Sequence, residues 1–199
     1  VIWSRAEGEQ RRVYQAYALE LKQQLESMDG SSGPSENMQI LAKLTRLRQL
    51  CCDPSLCLEG YRGGSAKLET CIQLVKTAVE GGHKLLLFSQ FTSMLEILAR
   101  RLGREDIAFH MLTGATPGEE RLRMAQAFQG DRVPVFLISL KAGGTGLNLT
   151  AADMVIHYDP WWNVAAQNQA TDRTHRIGQT KQVNVYRLIM KDTIEENIL

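Results

Sequence analysis

The stretch QATDRTHRIGQ, residues 169–179, places two arginines where they could act together. Gln169, Arg173 and Arg176 are spaced four and three residues apart, so a helix would carry all three on one face. A guanidinium is permanently charged, and its planar fork matches the oxygens of a phosphate group. By itself such a charged helix is more often a solvated surface. Three interpretations therefore stay open: a solvated surface, a nucleic-acid clamp, or a device that completes a catalytic site.

A glycine-rich segment, SLKAGGTGLNLTAAD at residues 139–153, is the second stretch with chemical potential. Glycines let backbone N–H groups approach a phosphate without interference from a Cβ atom. The segment's glycines and polar side chains are Ser139, Lys141, Gly143, Gly144, Thr145, Gly146 and Asn148. No GxxxxGK[ST] sequence occurs in the chain, and Leu149 replaces the third glycine of a dinucleotide fingerprint. A tight turn that needs glycines is the competing interpretation.

The third stretch, DPWWN at residues 159–163, contains two adjacent tryptophans. Neighbouring side chains on an extended segment point in different directions, so we expect one ring to pack inside and the other to face a groove. An aromatic ring beside a glycine-rich loop that carries a lysine suits contact with nucleic acid. Plain packing explains the pair equally well.

The elements that must position these stretches alternate from Ser65 onward. Short apolar runs, typical of strands buried on both faces, occupy residues 84–88, 107–112, 133–139, 154–159 and 183–190. Helical spacing separates them over residues 65–79, 93–102, 117–128 and near 163–173, and TPGE at 116–119 is interpreted as a capping box. This alternation predicts an α/β fold with a parallel sheet covered by helices on both faces. Because ligands bind at the carboxyl ends of such strands, the polar stretches that follow them are expected to carry the chemistry.

The first 64 residues predict a helical segment that precedes the sheet. Apolar residues recur every four positions from Val13 to Leu25, and a second apolar face runs from Ile40 to Cys51. A loop rich in glycine, proline and serine separates the two helices at residues 29–36. We therefore expect two parts, a helical extension over residues 1–64 and an α/β lobe over residues 65–199.

Bulk composition excludes some partners and leaves others open. The 199 residues carry 23 basic and 22 acidic side chains, so any nucleic-acid surface must be a local patch. No apolar run approaches the roughly 20 residues that a membrane helix needs, which predicts no membrane partner. The four cysteines form no CxxC motif and have no histidine nearby, which favours reduced cysteines over a metal site. The first residue, Val1, is not Met, which suggests a fragment of a longer protein.

Several blocks, taken in order, resemble one known family. The sequences LLLFSQF (85–91), LTGATPGEERLRMAQAFQ (112–129), ISLKAGGTGLNLTAADMVIHYDPWWN (138–163) and QATDRTHRIGQ together resemble the C-terminal motor lobe of the SWI/SNF-type ATPases, within helicase superfamily two. The segment LTRLRQLCCDPSL (44–56) resembles the helical connection between the two lobes of that family. Val164 and Thr174 stand where the family usually has Pro and Ala, and neither departure removes a charge.

This resemblance implies a RecA-like lobe, similar to that of P-loop NTPases, that completes an ATP site. In the family, ATP with Mg²⁺ lies between two lobes, and the first lobe carries the phosphate loop and the acidic box that holds the metal. The second lobe supplies arginine fingers, and such a finger typically contributes about 10³–10⁵ in rate. Catalytic roles are thereby implied for Gln169, Arg173 and Arg176, and nucleotide contacts for Gly146, Asn148 and the same two arginines.

The resemblance also implies a grip on double-stranded DNA. Contacts with DNA phosphates, which are independent of base sequence, are implied for Ser89, Gln90, Thr113, Gly114, Ser139, Lys141, Gly143, Gly144, Thr145 and Trp162. The implied partners are duplex DNA, the N-terminal motor lobe of the same protein, and a DNA-bound protein complex. A bacterial protein would act in the cytoplasm or nucleoid and a eukaryotic one in the nucleus, and the compact loops favour bacterial origin.

The leading hypothesis is the second lobe of an ATP-dependent translocase on double-stranded DNA. The alternatives are the lobe of a strand-separating helicase and a non-catalytic module that binds nucleic acid or protein. The DPWWN and HRIGQ segments favour the remodeller-like branch, and the intact arginine pair argues against a module that only binds. Because the chain has no phosphate loop and no acidic box followed by a second lobe, we expect it to be inactive as an ATPase alone.

Overall fold

The computed structural model describes residues 1–28, 30, 33–140, 142, 147–161 and 181–198. Its strands are β1 (Ile2–Ser4), β2 (Leu85–Ser89), β3 (Phe109–Leu112), β4 (Val135–Ser139), β5 (Met154–His157) and β6 (Asn184–Met190). These strands form one sheet in the order β1-β6-β5-β2-β4-β3, and every neighbouring pair is parallel. All six strands therefore present their carboxyl ends at the same edge of the sheet.

Helices cover both faces of this sheet. The described helices are α1 (Gly8–Glu26), α2 (Pro34–Cys52), α3 (Ala66–Glu80), α4 (Thr92–Arg104) and α5 (Gly118–Gly130), with 3-10 turns at Pro54–Leu56 and Ile194–Ile198. Side chains of a strand alternate between faces, so Leu85 and Leu87 pack with α3 and α4, whereas Leu86 and Phe88 pack with α5. All five residues of β2 are buried, as the continuous apolar run predicts. The predicted α/β fold with a parallel sheet is confirmed.

Buried polar contacts join the N-terminal helices to the sheet. The Gln10 side chain donates to the carbonyl of Leu50 (3.1 Å) and accepts from the N–H of Ala66 (3.0 Å), which connects α1, α2 and α3. The Lys67 ammonium lies 2.6 and 2.7 Å from the two carboxylate oxygens of Glu195, and both side chains are fully buried. Burial lowers the pKa of Lys67, but the Glu195 carboxylate, together with smaller contributions from Cys52 and Cys51, raises it, and the pKa of Lys67 lies above its usual value.

Three local expectations have different outcomes. Strand β1 was not predicted, because its short IWS sequence is stabilised by pairing with β6 and not by a pattern of its own. The capping box predicted at residues 116–119 is wrong, since the Thr116 hydroxyl accepts from the N–H of Thr113 and no side chain caps α5. The helix predicted near 163–173 lies outside the described residues, and the division after residue 64 stays a prediction.

The described part of the chain also bears on the membrane, metal and cysteine expectations. No helix within it is long and apolar enough to cross a membrane. Nor do three or more His, Cys, Asp or Glu side chains in these ranges come together as metal ligands. All four cysteines fall inside the described ranges and are free thiols, and burial raises the pKa of the Cys71 thiol to about 12.

Candidate nucleic-acid interface

A groove opens where β2, β4 and β3 end side by side. Its volume is about 200 Å³, and its lining consists of Gln90, Thr92, Thr113, Gly114, Ala115 and Ser139. The register of the parallel strands explains this convergence, because Ser89 of β2 lies opposite Ser139 of β4, and Leu112 of β3 lies opposite Ile138. Four of the ten residues predicted to contact DNA therefore line one concave surface. Their DNA contacts remain a prediction.

The hydroxyl of Ser139 is the unsatisfied polar group of this groove. The residue is only 3% exposed, and its Oγ has no hydrogen-bond partner among the described residues. A buried hydroxyl without a partner costs about 1–3 kcal/mol, a cost that an ordered water or a ligand would relieve. An oxygen of a bound phosphate placed in the groove would accept this hydrogen bond.

The amino end of α4 adds positive potential to the same groove. The helix begins at Thr92, which lines the groove, and its N-cap residue Phe91 has no side chain that can accept a hydrogen bond. The N–H of Met94 donates to the carbonyl of Phe91 (3.0 Å), so the donors that remain at this end are the N–H groups of Thr92 and Ser93, and the helix dipole places partial positive charge there. Donors and field together favour an anion at this position.

Ser89, the register partner of Ser139, has a different environment. Its hydroxyl donates to Oδ1 of Asp159 (2.5 Å) and accepts from the N–H of Phe91 (3.1 Å), and the residue is fully buried. The second oxygen of Asp159 accepts from the N–H of Gln90 at 3.2 Å. Ser89 therefore shapes the turn that presents Gln90. The direct DNA contact predicted for Ser89 stays a prediction, although its hydroxyl already has two partners.

Asp159 holds the turn after β2 against the end of β5. It is 1% exposed, and burial raises its pKa, while the donors on Ser89 and Gln90 oppose that rise. The carbonyl of the next residue, Pro160, accepts from Gln90 Nε2 (3.4 Å) and from Arg48 Nη2 of α2 (3.3 Å). These hydrogen bonds connect the turn after β2, the start of DPWWN and α2.

Arg121 fixes the other wall of the groove. Its Nε donates to the carbonyl of Thr116 (2.8 Å), and its Nη2 lies 3.3 Å from the carbonyl of Thr113 and 3.1 Å from that of Gly114. One guanidinium on α5 therefore holds three carbonyls of the turn that follows β3. Sequence reasoning missed Arg121, Asp159 and Arg48 as residues that shape the site. The available signal was that each lies within a block that carries the family resemblance.

The first tryptophan of DPWWN packs inside, as expected for one ring of the pair. Trp161 is 2% exposed and meets Phe88 and His157 edge-on, with ring centroids 6.1 and 5.4 Å apart. His157 is fully buried and stacked on Phe88, with ring centroids 5.6 Å apart. Burial, and secondarily the charge of Arg187, lowers the pKa of His157 to about 4, so the ring is neutral at physiological pH.

The nucleotide side of the site is described only in part. The Asn148 side chain is exposed, and its Oδ1 accepts from the N–H of Thr150 at 3.3 Å, which leaves its amide N–H groups available to a ligand. The other predicted residues lie outside the described ranges: Lys141, Gly143, Gly144, Thr145, Gly146, Trp162, Gln169, Arg173 and Arg176. Their roles stay predictions.

Comparisons with known proteins bear directly on this arrangement. The family model described as the helicase conserved C-terminal domain matches residues 66–178. A putative ATP-dependent helicase/translocase of Bacillus subtilis, YwqA, is 40% identical over 199 residues, which is 96% of this chain and 21% of the relative. The chain thus spans about a fifth or less of the length of the curated relatives that it matches first.

Solved structures from Sulfolobus solfataricus have the same fold. The C-terminal domain of its SWI2/SNF2 ATPase is 30% identical, with a TM-score of 0.80, and the match covers 99% of this chain and 81% of that one. The core of that ATPase in complex with double-stranded DNA is 32% identical, with a TM-score of 0.83, over 99% of this chain and 42% of the other. The chain therefore belongs to the helicase conserved C-terminal domain family, as a C-terminal lobe of the SWI2/SNF2 type.

Proposed function

We propose that this chain is the second motor lobe of an ATP-dependent translocase or remodelling ATPase that moves along double-stranded DNA. It grips the phosphate backbone with the groove at the ends of β2, β3 and β4 and supplies arginines to ATP held by a first lobe. The observation that carries this proposal is the unpartnered hydroxyl of Ser139, buried in a groove at the amino end of α4. The similarity to an ATPase core solved with double-stranded DNA supports the choice of ligand.

The groove suits a phosphate better than a base. Its donors are a serine hydroxyl, the amide of Gln90 and the first N–H groups of α4, which together match an oxyanion and carry no pattern that distinguishes bases. The turn after β3 is small and open, since no atom lies within 4 Å of the position that a Cβ on Gly114 would occupy. A sugar–phosphate strand can therefore come close to the backbone there, and binding of this kind is independent of sequence and sensitive to salt.

The arginine pair would connect this grip to ATP. When bound on the first lobe, ATP with Mg²⁺ supplies the phosphoryl group whose transfer drives the motor. Arg173 and Arg176 would place positive charge against the phosphate oxygens, where charge accumulates during transfer. Asn148, with its amide N–H groups available, is the described member of the proposed nucleotide contacts. The chain alone would be inactive, because the phosphate loop and the acidic box belong to the first lobe.

A salt titration tests the proposed grip. Duplex DNA of two unrelated sequences is titrated into the chain by fluorescence anisotropy at several salt concentrations. We expect equal affinities for the two sequences and a linear fall of log affinity with log salt, with a slope of about −0.9 for each phosphate contacted. Absence of binding at low salt, or a strong preference for one sequence, would contradict the proposal.

Turnover of the complete protein tests the arginine pair. In a protein containing both lobes, Arg173→Ala should reduce DNA-stimulated ATP hydrolysis by about 10³-fold or more while DNA binding persists. The matched variant Arg132→Ala removes an arginine from a loop beyond α5 and should leave turnover unchanged. Normal turnover in Arg173→Ala would instead favour a lobe that only binds.

A further inference from the structure

We propose a second phosphate-binding pocket, formed by Arg5, Arg11 and Lys191, at the ends of β1 and β6. It would hold a phosphate of the same DNA duplex beyond the groove, so this inference rests on the proposed function. The three cations line one concave pocket together with Tyr14 and Gln15. No sequence pattern links these three residues, because they are separated by up to 186 positions.

The topology of the sheet brings the three cations together. Arg5 directly follows β1 and Lys191 directly follows β6, and these parallel strands pair with Ser4 opposite Met190. Both side chains therefore leave the sheet at its carboxyl edge, the edge that also carries the groove. Arg11 comes from the first turn of α1, which begins three residues after Arg5.

The positive charge of this pocket is not neutralised within the described part of the chain. The side chains of Arg5, Arg11 and Lys191 make no ion pair or hydrogen bond with any described residue. Asp192 also lines the pocket but forms no ion pair with them, and its N–H donates to Glu196. Arg and Lys charges that converge on one concavity repel one another, and a bound anion relieves that repulsion.

Neutral donors complete the pocket. The hydroxyl oxygen of Tyr14 accepts from the N–H of Ile194 at 2.8 Å, so its own proton remains available to donate. The Gln15 amide contributes further N–H donors at the wall. Two guanidinium forks, an ammonium, a phenol and an amide around one cavity match the several oxygens of a phosphate group.

The spacing of the strands favours duplex DNA as the source of that phosphate. Neighbouring strands lie about 4.8 Å apart, so β6 is about 10 Å from β2 and β1 is about 19 Å from β4. A duplex lying along the carboxyl edge spans such distances with successive phosphates. A free phosphate or pyrophosphate presents the same chemistry and is the other source that the test must separate.

Charge-matched variants test the pocket. The double variant R5Q/R11Q and the single variant K191Q are compared with R100Q/R104Q, which removes two exposed charges from α4 away from the pocket. Duplex DNA binding is measured by anisotropy over a salt series, and pyrophosphate binding by calorimetry. We expect R5Q/R11Q to weaken DNA binding about 5- to 20-fold and to reduce the salt slope by 1 to 2, with R100Q/R104Q within about twofold of the parent.

Each outcome decides the inference. Weaker DNA binding in both pocket variants supports a site for duplex phosphates, and loss of pyrophosphate binding alone supports a site for free phosphate instead. If the pocket variants match R100Q/R104Q with both ligands, the inference is overturned. A parent chain that binds no DNA refutes the proposed grip, and the pyrophosphate arm then still decides whether the pocket binds phosphate.

Discussion

Two neighbouring strands, β2 and β4, end in serines that lie side by side and have opposite environments. At the end of β2, the hydroxyl of Ser89 donates to Asp159 and accepts from Phe91. At the end of β4, the hydroxyl of Ser139 is equally buried but has no partner among the described residues. The same side chain in the same register thus stabilises a turn in one case and has no partner in the described part of the chain in the other, as the proposed DNA contact requires.

This difference distinguishes residues that stabilise the fold at this edge of the sheet from residues that we propose bind DNA there. The Ser89 hydroxyl makes its hydrogen bonds to other groups of the protein, so changes there should reduce folding stability. The Ser139 hydroxyl has no such bond with the described residues, so its removal should reduce binding and leave folding nearly unaffected. Four predictions test this separation, from the largest expected effect to the smallest, and a fifth tests the central claim directly.

Removal of the Asp159 carboxylate, which bonds both Ser89 and Gln90, should have the largest effect. Asp159→Ala leaves the buried Ser89 hydroxyl and the half-buried Gln90 N–H without their acceptor. Each such group costs about 1–3 kcal/mol, so we expect the free energy of unfolding to fall by about 2–5 kcal/mol in urea titrations. The control is Glu96→Ala, which removes an exposed carboxylate from the middle of α4 and should change the free energy of unfolding by less than about 0.5 kcal/mol. Equal stability of the two variants would show that the network does not support the turn.

Acid should weaken the packing around the buried ring of His157. Because the folded pKa of His157 is about 4 and its unfolded pKa is about 6.5, the unfolded chain binds more protons between these values. This contribution to stability is present above about pH 6.5 and is lost as pH falls toward 4, by about 3 kcal/mol in all. Chemical denaturation of the parent and of His157→Phe at both pH values measures it. An unchanged pH dependence in His157→Phe would contradict this assignment.

How far the sequence predicts these features depends on which interactions decide them. The parallel sheet follows from continuous apolar runs such as LLLF in β2, because burial on both faces leaves a direct mark on the sequence. Strand β1 leaves no such mark, since only its pairing with β6 stabilises three residues as a strand. Likewise, the strand order that puts β4 between β2 and β3 is set by crossovers that no local pattern reports.

The candidate site was predictable at the level of segments and not at the level of side-chain roles. Ser89 and Ser139 both follow buried strands, so sequence reasoning gave them one role, whereas Asp159 distinguishes them from 70 and 20 positions away. Arg121 resembles any charged residue on an exposed helix face, and only the turn after β3 shows its three carbonyl partners. Long-range hydrogen bonds decide such roles, and sequence spacing does not encode them.

The single serine variant Ser89→Ala sharpens the comparison directly. Loss of its hydroxyl leaves Asp159 Oδ1 and the Phe91 N–H with one partner fewer, so we expect the chain to be destabilised by about 1–3 kcal/mol. Thermal unfolding followed by circular dichroism measures the change. Ser27→Ala, which removes an exposed hydroxyl bonded to Gln24, should shift stability far less. A parent-like melting temperature in Ser89→Ala would remove the distinction between the two strand ends.

The shape of the turn after β3, which forms one wall of the groove, should depend on the guanidinium group of Arg121 and not on its charge alone. Arg121→Lys keeps the positive charge but cannot hold three carbonyls of the turn after β3 at once. We expect duplex DNA affinity to fall about 3- to 10-fold, with the salt slope unchanged because no charge is lost. Arg123→Lys serves as the control, since Arg123 is exposed and pairs with Glu120 on the same helix. A reduced salt slope in Arg121→Lys would instead indicate a direct phosphate contact.

The most direct test of the central claim is the duplex DNA affinity of Ser139→Ala, measured together with its stability. Because the hydroxyl has no partner among the described residues, its removal should leave the free energy of unfolding unchanged or slightly raised. Loss of a hydrogen bond to a charged phosphate should weaken DNA binding about 10-fold. Parent-like DNA affinity in a stable Ser139→Ala chain would contradict the claim that this groove holds the DNA backbone.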